Sequence, residues 1–222
     1  MSIENKLIEI AENVPKVYEA GYAKGKEEGV GGIDYDNFWD RFQNNGADEG
    51  ISYLYAFAYN RFNDDSYNPK HPIICMTGST TAERMFYNNT KITSTKKPID
   101  VTKATSLNYA FGCYSAGENS RLETIVELIV NEKNTYISTF TLASALKNIN
   151  ITGTIGETIS LEYSPLTKQS IYSVVNALSD TATGKTCTFK KTAVTAAFGN
   201  STSSAEWVAL KETKPNWTFT VK

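Results

Sequence analysis

The sequence predicts an α+β fold whose centre is an irregular β-solenoid, preceded by an N-terminal helix and closed by a C-terminal α+β cap. The first observation behind this prediction is a phenylalanine that recurs in a similar local setting at intervals of 29, 25 and 29 residues. The four copies are Tyr53-x-x-Ala56-Phe57, Ala82-x-x-Met85-Phe86, Leu107-x-x-Ala110-Phe111 and Tyr136-x-x-Thr139-Phe140. Repeats of about 20–29 residues are typical of solenoids in which each coil stacks on the next. We therefore expect the four rings to form one buried column.

The second observation is that two coils align beyond the phenylalanine, through a Leu-x-x-Ile pattern that leads into residues rich in β-branched side chains. Such residues favour short strands. The two patterns are Leu122-x-x-Ile125, continued by residues 126–130, and Leu146-x-x-Ile149, continued by residues 150–155.

The other two coils are less regular. The interval after Phe111 accommodates five extra residues, 115–119, whose small and polar character predicts an inserted turn. The first coil is degenerate, because residues 63–69 are polar before an apolar run resumes at residues 72–75. An atypical terminal repeat is expected at the end of a solenoid, where a polar face must close the core.

Residues 1–32 predict an amphipathic helix. Its apolar residues alternate at spacings of four and three, which makes a stripe able to pack against another helix. Pro15 removes a backbone donor and is expected to kink the helix, so we do not expect a long coiled coil. Two interpretations stay open: a helix folded back on its own domain, and a homo-oligomerisation segment. The second would act through Leu7, Ile10, Val14 and Val17.

The solenoid domain is predicted to span residues 33–156 and to begin with a short helix at residues 34–44. Phe38, Trp39 and Phe42 lie on one face of that helix and are expected to cover the first coil. The alternative is an aromatic platform that binds a sugar or a peptide.

Residues 157–222 depart from the repeat and predict the α+β cap. Ser164 followed by Pro165 predicts the start of a helix that ends near Asp180. The remaining predicted elements are a strand at 186–189, a short helix carrying Val194, Ala197 and Phe198, a helix capped by Ser203-x-x-Glu206 and ended by Pro215, and a strand in which Trp217, Phe219 and Val221 alternate with polar residues.

The charge and the distribution of apolar residues argue against a nucleic-acid-binding protein and against a membrane-spanning protein. The net charge is −2, and the chain lacks a dense cluster of Lys and Arg, so a surface that follows nucleic-acid phosphates is not expected. The sequence lacks a run of about 18 apolar residues, which argues against a membrane span. Its acidic start lacks the features of a signal peptide, so we expect the protein to be made and released in the cytoplasm.

The residues that usually carry chemistry do not form a recognisable constellation. Cys75, Cys113 and Cys187 lack disulfide or zinc spacing and are predicted to be reduced packing residues. His71 is the only histidine, so a metal site or a Ser/His/Asp relay is not expected. Residues 183–186 resemble the end of a phosphate-binding loop without its first glycine, which indicates an ordinary turn. We therefore predict no enzymatic activity, no cofactor and no metal.

Two stretches resemble the "aromatic, then Cys, then Leu-x-x-Ile" coil of BspA-like leucine-rich-repeat proteins: residues 107–113 (LNYAFGC) and 145–151 (ALKNINI). The resemblance covers roughly residues 50–156 and implies an irregular leucine-rich-repeat β-solenoid. The two ends of the chain resemble those of short repeat proteins found in prophages of Gram-positive gut bacteria. The matching segments are 6–21 (KLIEIAENVPKVYEAG), 174–180 (VVNALSD) and 214–218 (KPNWT). This second resemblance implies a phage virion or tail-associated adhesin and no catalytic residues.

Taken with the residues themselves, the resemblance predicts a non-enzymatic binding protein, made in the host cytoplasm and then virion-associated, whose partner is a protein or a cell-surface glycan. The candidate ligand-binding residues are Tyr59, Tyr87 and Tyr114, each just past a repeat phenylalanine. Turns are exposed at these positions, and aromatic side chains supply contact area at low entropic cost. The alternative is a phage-encoded intracellular inhibitor or decoy that binds a host protein.

Overall fold

The computed structural model describes residues 57–59, 62–65, 67–75, 82–114, 120–199 and 201–222. Several predictions fall on other residues and lie outside the described part of the chain. They concern the N-terminal helix with its oligomerisation residues Leu7, Ile10, Val14 and Val17, the aromatic helix at 34–44, and the inserted turn at 115–119.

Ten regular elements occupy the described ranges. In chain order they are β1 (Ile73–Ile74), β2 (Ile99–Asp100), β3 (Thr124–Val130), β4 (Asn148–Gly153), β5 (Ile159–Leu161), α1 (Lys168–Ala177), β6 (Lys185–Phe189), α2 (Lys191–Ala197), α3 (Ala205–Glu212) and β7 (Trp217–Val221). None of these three helices has the length and apolar character needed to cross a membrane.

Strands β1 to β4 form a parallel sheet in chain order, so each strand pairs with its neighbour about one repeat away. The register places Ile73, Ile99, Leu128 and Ile151 side by side, and all four side chains are buried. Strands β3 and β4 confirm the two strands predicted from the Leu-x-x-Ile patterns. Strand β2 was not predicted, because two residues are too few to establish a strand pattern.

The repeat phenylalanines lie in one buried column, as the sequence predicts. The ring centroids are 4.9 Å apart for Phe57 and Phe86, 5.7 Å for Phe86 and Phe111, and 5.6 Å for Phe111 and Phe140. Each of the four side chains is 1% exposed. We call this column the phenylalanine stack. Backbone hydrogen bonds join the same turns: the N–H of Phe86 donates to the carbonyl of Ala110, and the N–H of Phe111 donates to the carbonyl of Thr139.

Strands β5, β6 and β7 form a second parallel sheet in chain order. Parallel pairing between successive segments therefore continues into the C-terminal region, where the sequence lacks the phenylalanine motif. Helices replace turns between these strands, yet the spacing stays similar: Ile159 pairs with Cys187, 28 residues later, and Lys185 pairs with Trp217, 32 residues later. The strands predicted at 186–189 and 217–221 are confirmed.

The C-terminal helices begin later than predicted. Helix α1 starts at Lys168 and is capped by Thr167, whose hydroxyl accepts a hydrogen bond from the N–H of Ser170. The predicted cap, Ser164, instead donates its hydroxyl proton to the carbonyl of Ala143 at 3.2 Å. This tertiary hydrogen bond engages the Ser164 hydroxyl, which is then not available to cap the helix.

The N-cap of helix α3 likewise lies one residue later than predicted. Ser204, and not Ser203, caps the helix through a hydrogen bond from the N–H of Trp207. The hydroxyl of Ser203 pairs with that of Ser201 at 2.8 Å, so it serves a local turn. The short helix predicted around Val194 is confirmed as α2.

Helix α1 covers the edge of the first sheet. The hydroxyl of Ser170 accepts a 2.9 Å hydrogen bond from the N–H of Ile149, and that of Ser173 accepts a 2.7 Å bond from the N–H of Ile151. Both donors belong to β4, whose outer N–H groups would otherwise be open to pairing with another strand. Two serines one helical turn apart therefore close this edge of the sheet.

Candidate binding surface

The turns around the phenylalanine stack have an unusual backbone. Residues two positions before three of the phenylalanines have positive φ: Arg84 (52°), Tyr109 (61°) and Ser138 (53°). Residues two positions after three of them do so as well: Tyr59 (57°), Asn88 (52°) and Leu142 (54°). The left-handed conformation is uncommon outside glycine and reverses the chain sharply. Phe86 and Phe140 have such a residue on both sides, and most of the flanking side chains are at least partly exposed.

Four tyrosines line up on this surface. The ring centroids are 5.7 Å apart for Tyr59 and Tyr87, 6.1 Å for Tyr87 and Tyr109, and 6.2 Å for Tyr109 and Tyr114. Each contact is edge to face, which is a favourable geometry for aromatic pairs. We call these four residues the tyrosine row. The two terminal members are the most open, with Tyr59 51% and Tyr114 67% exposed.

Two further residues lie next to the tyrosine row. The guanidinium carbon of Arg84 lies 5.1 Å from the centroid of the Tyr109 ring, within the range of a cation–π interaction. Ile137, in the next repeat, is 61% exposed and its carbonyl accepts a hydrogen bond from the N–H of Tyr109. The surface thus combines aromatic rings, one cation and one exposed aliphatic side chain.

Asparagine side chains hold the backbone beneath the row. The side-chain carbonyl of Asn88 accepts a 2.9 Å hydrogen bond from the N–H of Tyr114, and that of Asn108 accepts one of the same length from Ile137. Glu83 accepts a 2.6 Å bond from the hydroxyl of Ser106. These bonds connect residues 23 to 29 positions apart, so each repeat fixes the surface residues of its neighbour.

The structure brings together all three tyrosines singled out in the sequence. Tyr59 and Tyr87 are in direct contact, whereas Tyr87 and Tyr114 are joined through Tyr109. Sequence reasoning missed Tyr109 because it precedes its phenylalanine, and the other three follow theirs. It missed Arg84 for the same reason. The one indication in the sequence was that both residues occupy the same repeat position, two before the phenylalanine.

Comparisons with protein-family models, with curated proteins and with solved structures found no match to this chain. The candidate surface therefore rests on the geometry of its own residues.

The structure also places His71 and residues 183–186, the two other features considered in the sequence. His71 is exposed. Lys185 begins strand β6, so the loop-like motif at residues 183–186 leads into a strand instead of the helix that a phosphate-binding loop needs. Within the described ranges, no three His, Cys, Asp or Glu side chains are grouped closely enough to hold a metal ion.

The three cysteines are buried free thiols, as predicted for reduced packing residues. Burial raises the pKa of the Cys75 thiol, with a smaller contribution from the nearby carboxylate of Asp100, and burial alone raises the pKa of the Cys187 thiol. A raised thiol pKa reduces the fraction of reactive thiolate at neutral pH. The thiols of Cys75 and Cys187 are therefore poor nucleophiles in the folded protein.

Proposed function

We propose that this protein is a non-enzymatic binding protein, built on an irregular leucine-rich-repeat β-solenoid of the BspA-like type, that recognises a partner protein through the tyrosine row. The solenoid assignment is supported by the parallel pairing of β1 to β4 about one repeat apart and by the phenylalanine stack.

The observation that carries the proposal is the continuity of the tyrosine row. Exposed single aromatics are common on protein surfaces, but a connected set contributed by successive repeats is a larger feature. Tyrosine and arginine are, together with tryptophan, enriched among the residues that supply most of the binding energy at protein interfaces. Edge-to-face contacts also hold the rings in place before a partner arrives, which lowers the entropic cost of binding.

The ring geometry favours a protein over a glycan as the partner of this row. Neighbouring tyrosines meet at interplanar angles of 79° to 87°, so they do not make one flat platform for a sugar ring. The irregular relief, with Arg84 and Ile137 beside it, is typical of surfaces that bind protein through rigid aromatic anchors.

The proposed biological role follows from the resemblance described above. The protein would be a virion or tail-associated component that binds a protein on the surface of a Gram-positive gut bacterium. The competing role is that of an intracellular inhibitor or decoy of a host protein. Mass spectrometry of purified virions separates the two roles, because only the first requires the protein in the particle.

The binding test uses fluorescently labelled full-length protein and intact cells of the host bacterium. We expect saturable binding that falls at least tenfold in the double variant Tyr87→Ala/Tyr109→Ala and after the cells are treated with protease. Tyr163→Ala serves as the matched control, because Tyr163 is also an exposed tyrosine and lies outside the row. Equal binding by the wild type and the double variant would remove the tyrosine row as the binding surface.

A further inference from the structure

A groove of about 770 Å³ lies between the outer face of strands β3 and β4 and helix α1. This volume falls in the range of about 300–1,000 Å³ that is usual for sites that bind small ligands. The sheet contributes Thr124, Asn148 and Asn150, and the helix contributes Gln169, Ser173 and Asn176. The groove is separate from the tyrosine row, none of whose residues lines it.

The lining of the groove is uncharged and mixes polar side chains with apolar ones, among them Val126 and Tyr172. None of the described residues that form it is Asp, Glu, Lys, Arg or His. The amides of Asn and Gln and the hydroxyls of Ser and Thr each offer both donors and acceptors. A phosphate or carboxylate ligand would instead call for Arg or Lys. The groove therefore suits a ligand that is itself neutral and carries many hydroxyl groups.

Several of these polar groups have hydrogen-bonding capacity to spare. The side-chain oxygen of Asn150 accepts a 3.2 Å bond from the hydroxyl of Ser173, which leaves the NH₂ group of Asn150 for a ligand. Gln169 and Asn176 are exposed on α1, and within the described part of the chain their amides make no hydrogen bond. Amides in this state are available without breaking an existing contact.

A β-bulge adds an apolar contact to the same groove. The pairing of β3 with β4 shifts between Ile125 and Leu128, so Val126 and Glu127 together oppose one residue of β4, and Val126 is 40% exposed on the outer face. The N–H of Val126 is satisfied by the hydroxyl of buried Thr95 at 3.0 Å. Bulges of this kind often redirect a side chain beside a binding site. Val126, with Tyr172 across the groove, would contact the C–H faces of a sugar.

The structure favours an oligosaccharide over a peptide in this groove. A peptide would bind here most readily by adding a strand to β4, but Ser170 and Ser173 already occupy the N–H groups of Ile149 and Ile151.

We propose that the groove between the β3–β4 outer face and helix α1 binds a short neutral oligosaccharide, held by the amides of Asn150, Gln169 and Asn176. This site goes beyond the proposed protein recognition and does not depend on it.

The test titrates the full chain with three neutral probes, chitotetraose, cellotetraose and maltotetraose, by calorimetry and by NMR of side-chain NH₂ groups. We expect at least one probe to bind saturably and to shift the NH₂ signals of Asn150, Gln169 and Asn176. The double variant Gln169→Ala/Asn176→Ala should weaken that binding at least tenfold. Both positions are exposed on a helix, where alanine is well tolerated, so the variant is expected to fold.

Two controls make the result specific. Thr192→Ala alters an exposed polar residue on α2, outside the groove, and Tyr87→Ala alters the tyrosine row; both should bind the probe as the wild type does. The proposal is overturned if none of the three probes binds at millimolar concentration, or if the double variant binds as tightly as the wild type. Failure of cell binding through the tyrosine row would leave this result unchanged.

Discussion

The side-chain carbonyl of Asn88 accepts a 2.9 Å hydrogen bond from the backbone N–H of Tyr114, which ties the turn of one repeat to the tyrosine row in the next. Asn88 is itself buried and has a φ of 52°. Asparagine adopts this left-handed conformation more easily than most residues. One side chain therefore satisfies both a backbone requirement and a contact between repeats.

We predict that Asn88→Ala lowers the free energy of unfolding by about 1–3 kcal/mol, because it removes this bond and places alanine in a left-handed conformation. Urea denaturation followed by circular dichroism measures the change. Asn88→Gly loses the bond without the conformational cost, so its stability should lie between those of the wild type and Asn88→Ala. A wild-type unfolding midpoint in Asn88→Ala would contradict the prediction.

The phenylalanine stack predicts coupling between neighbouring rings. Phe111 and Phe140 are 5.6 Å apart with 14° between their planes, so we expect a double-mutant cycle with leucine to give a coupling energy of about 0.5–1.5 kcal/mol. The matched control pairs Phe111 with Phe189, a buried ring of the second sheet. Additive effects are expected for the control, and additivity in both cycles would show that the stacked rings do not stabilise each other.

Removing the hydroxyl group from two buried tyrosines should change the free energy of unfolding in opposite directions. The hydroxyl of Tyr136 has no hydrogen-bond partner among the described residues, whereas that of Tyr67 donates to the carbonyl of Thr95 at 3.1 Å. Tyr136→Phe should therefore raise the free energy of unfolding by about 1 kcal/mol, and Tyr67→Phe should lower it by about as much. Thermal and urea denaturation measure both changes. Destabilisation by Tyr136→Phe would mean that its hydroxyl has a partner in solution.

The two serines that close the sheet edge should contribute unequally to the free energy of unfolding. Ser170 is buried, so Ser170→Ala leaves the N–H of Ile149 without a partner and is expected to cost about 1–3 kcal/mol. Ser173 is partly exposed, so water can replace its hydroxyl and Ser173→Ala should cost less. Hydrogen exchange at the amides of Ile149 and Ile151 tests the same contacts. If both substitutions lower the free energy of unfolding by the same amount, the burial of Ser170 does not strengthen its hydrogen bond to Ile149.

The buried thiols predict slow chemical modification of the folded protein. Because burial raises the pKa values of Cys75 and Cys187, little thiolate is present at pH 8 in the folded state, whereas the unfolded chain ionises at the ordinary thiol pKa. The unfolded chain therefore binds fewer protons above that pKa, and this contribution to stability decreases as the pH rises further. Mass spectrometry after iodoacetamide treatment should find adducts only when denaturant is added. Rapid labelling of the native chain at either cysteine would contradict the burial.

Much of the repeat region was predictable, because its signals are local in sequence. The spacing of the phenylalanines indicated a buried column, and the two Leu-x-x-Ile patterns indicated β3 and β4. Helix starts were less predictable. Ser164 has the right chemistry for an N-cap, but its hydroxyl bonds to the distant carbonyl of Ala143, and a sequence pattern contains no information on such competition.

By itself, the sequence determined which residues are apolar and at what interval they recur, and this was enough to predict the rings of Phe86, Phe111 and Phe140 in one column. A fixed interval brings equivalent residues together in every coil, so one pattern specifies many contacts. Only the tertiary structure decided that Tyr109 completes the tyrosine row and that Ser170 closes the edge of β4. Those contacts join different repeat positions or different kinds of element, and their formation depends on how the backbone turns in space.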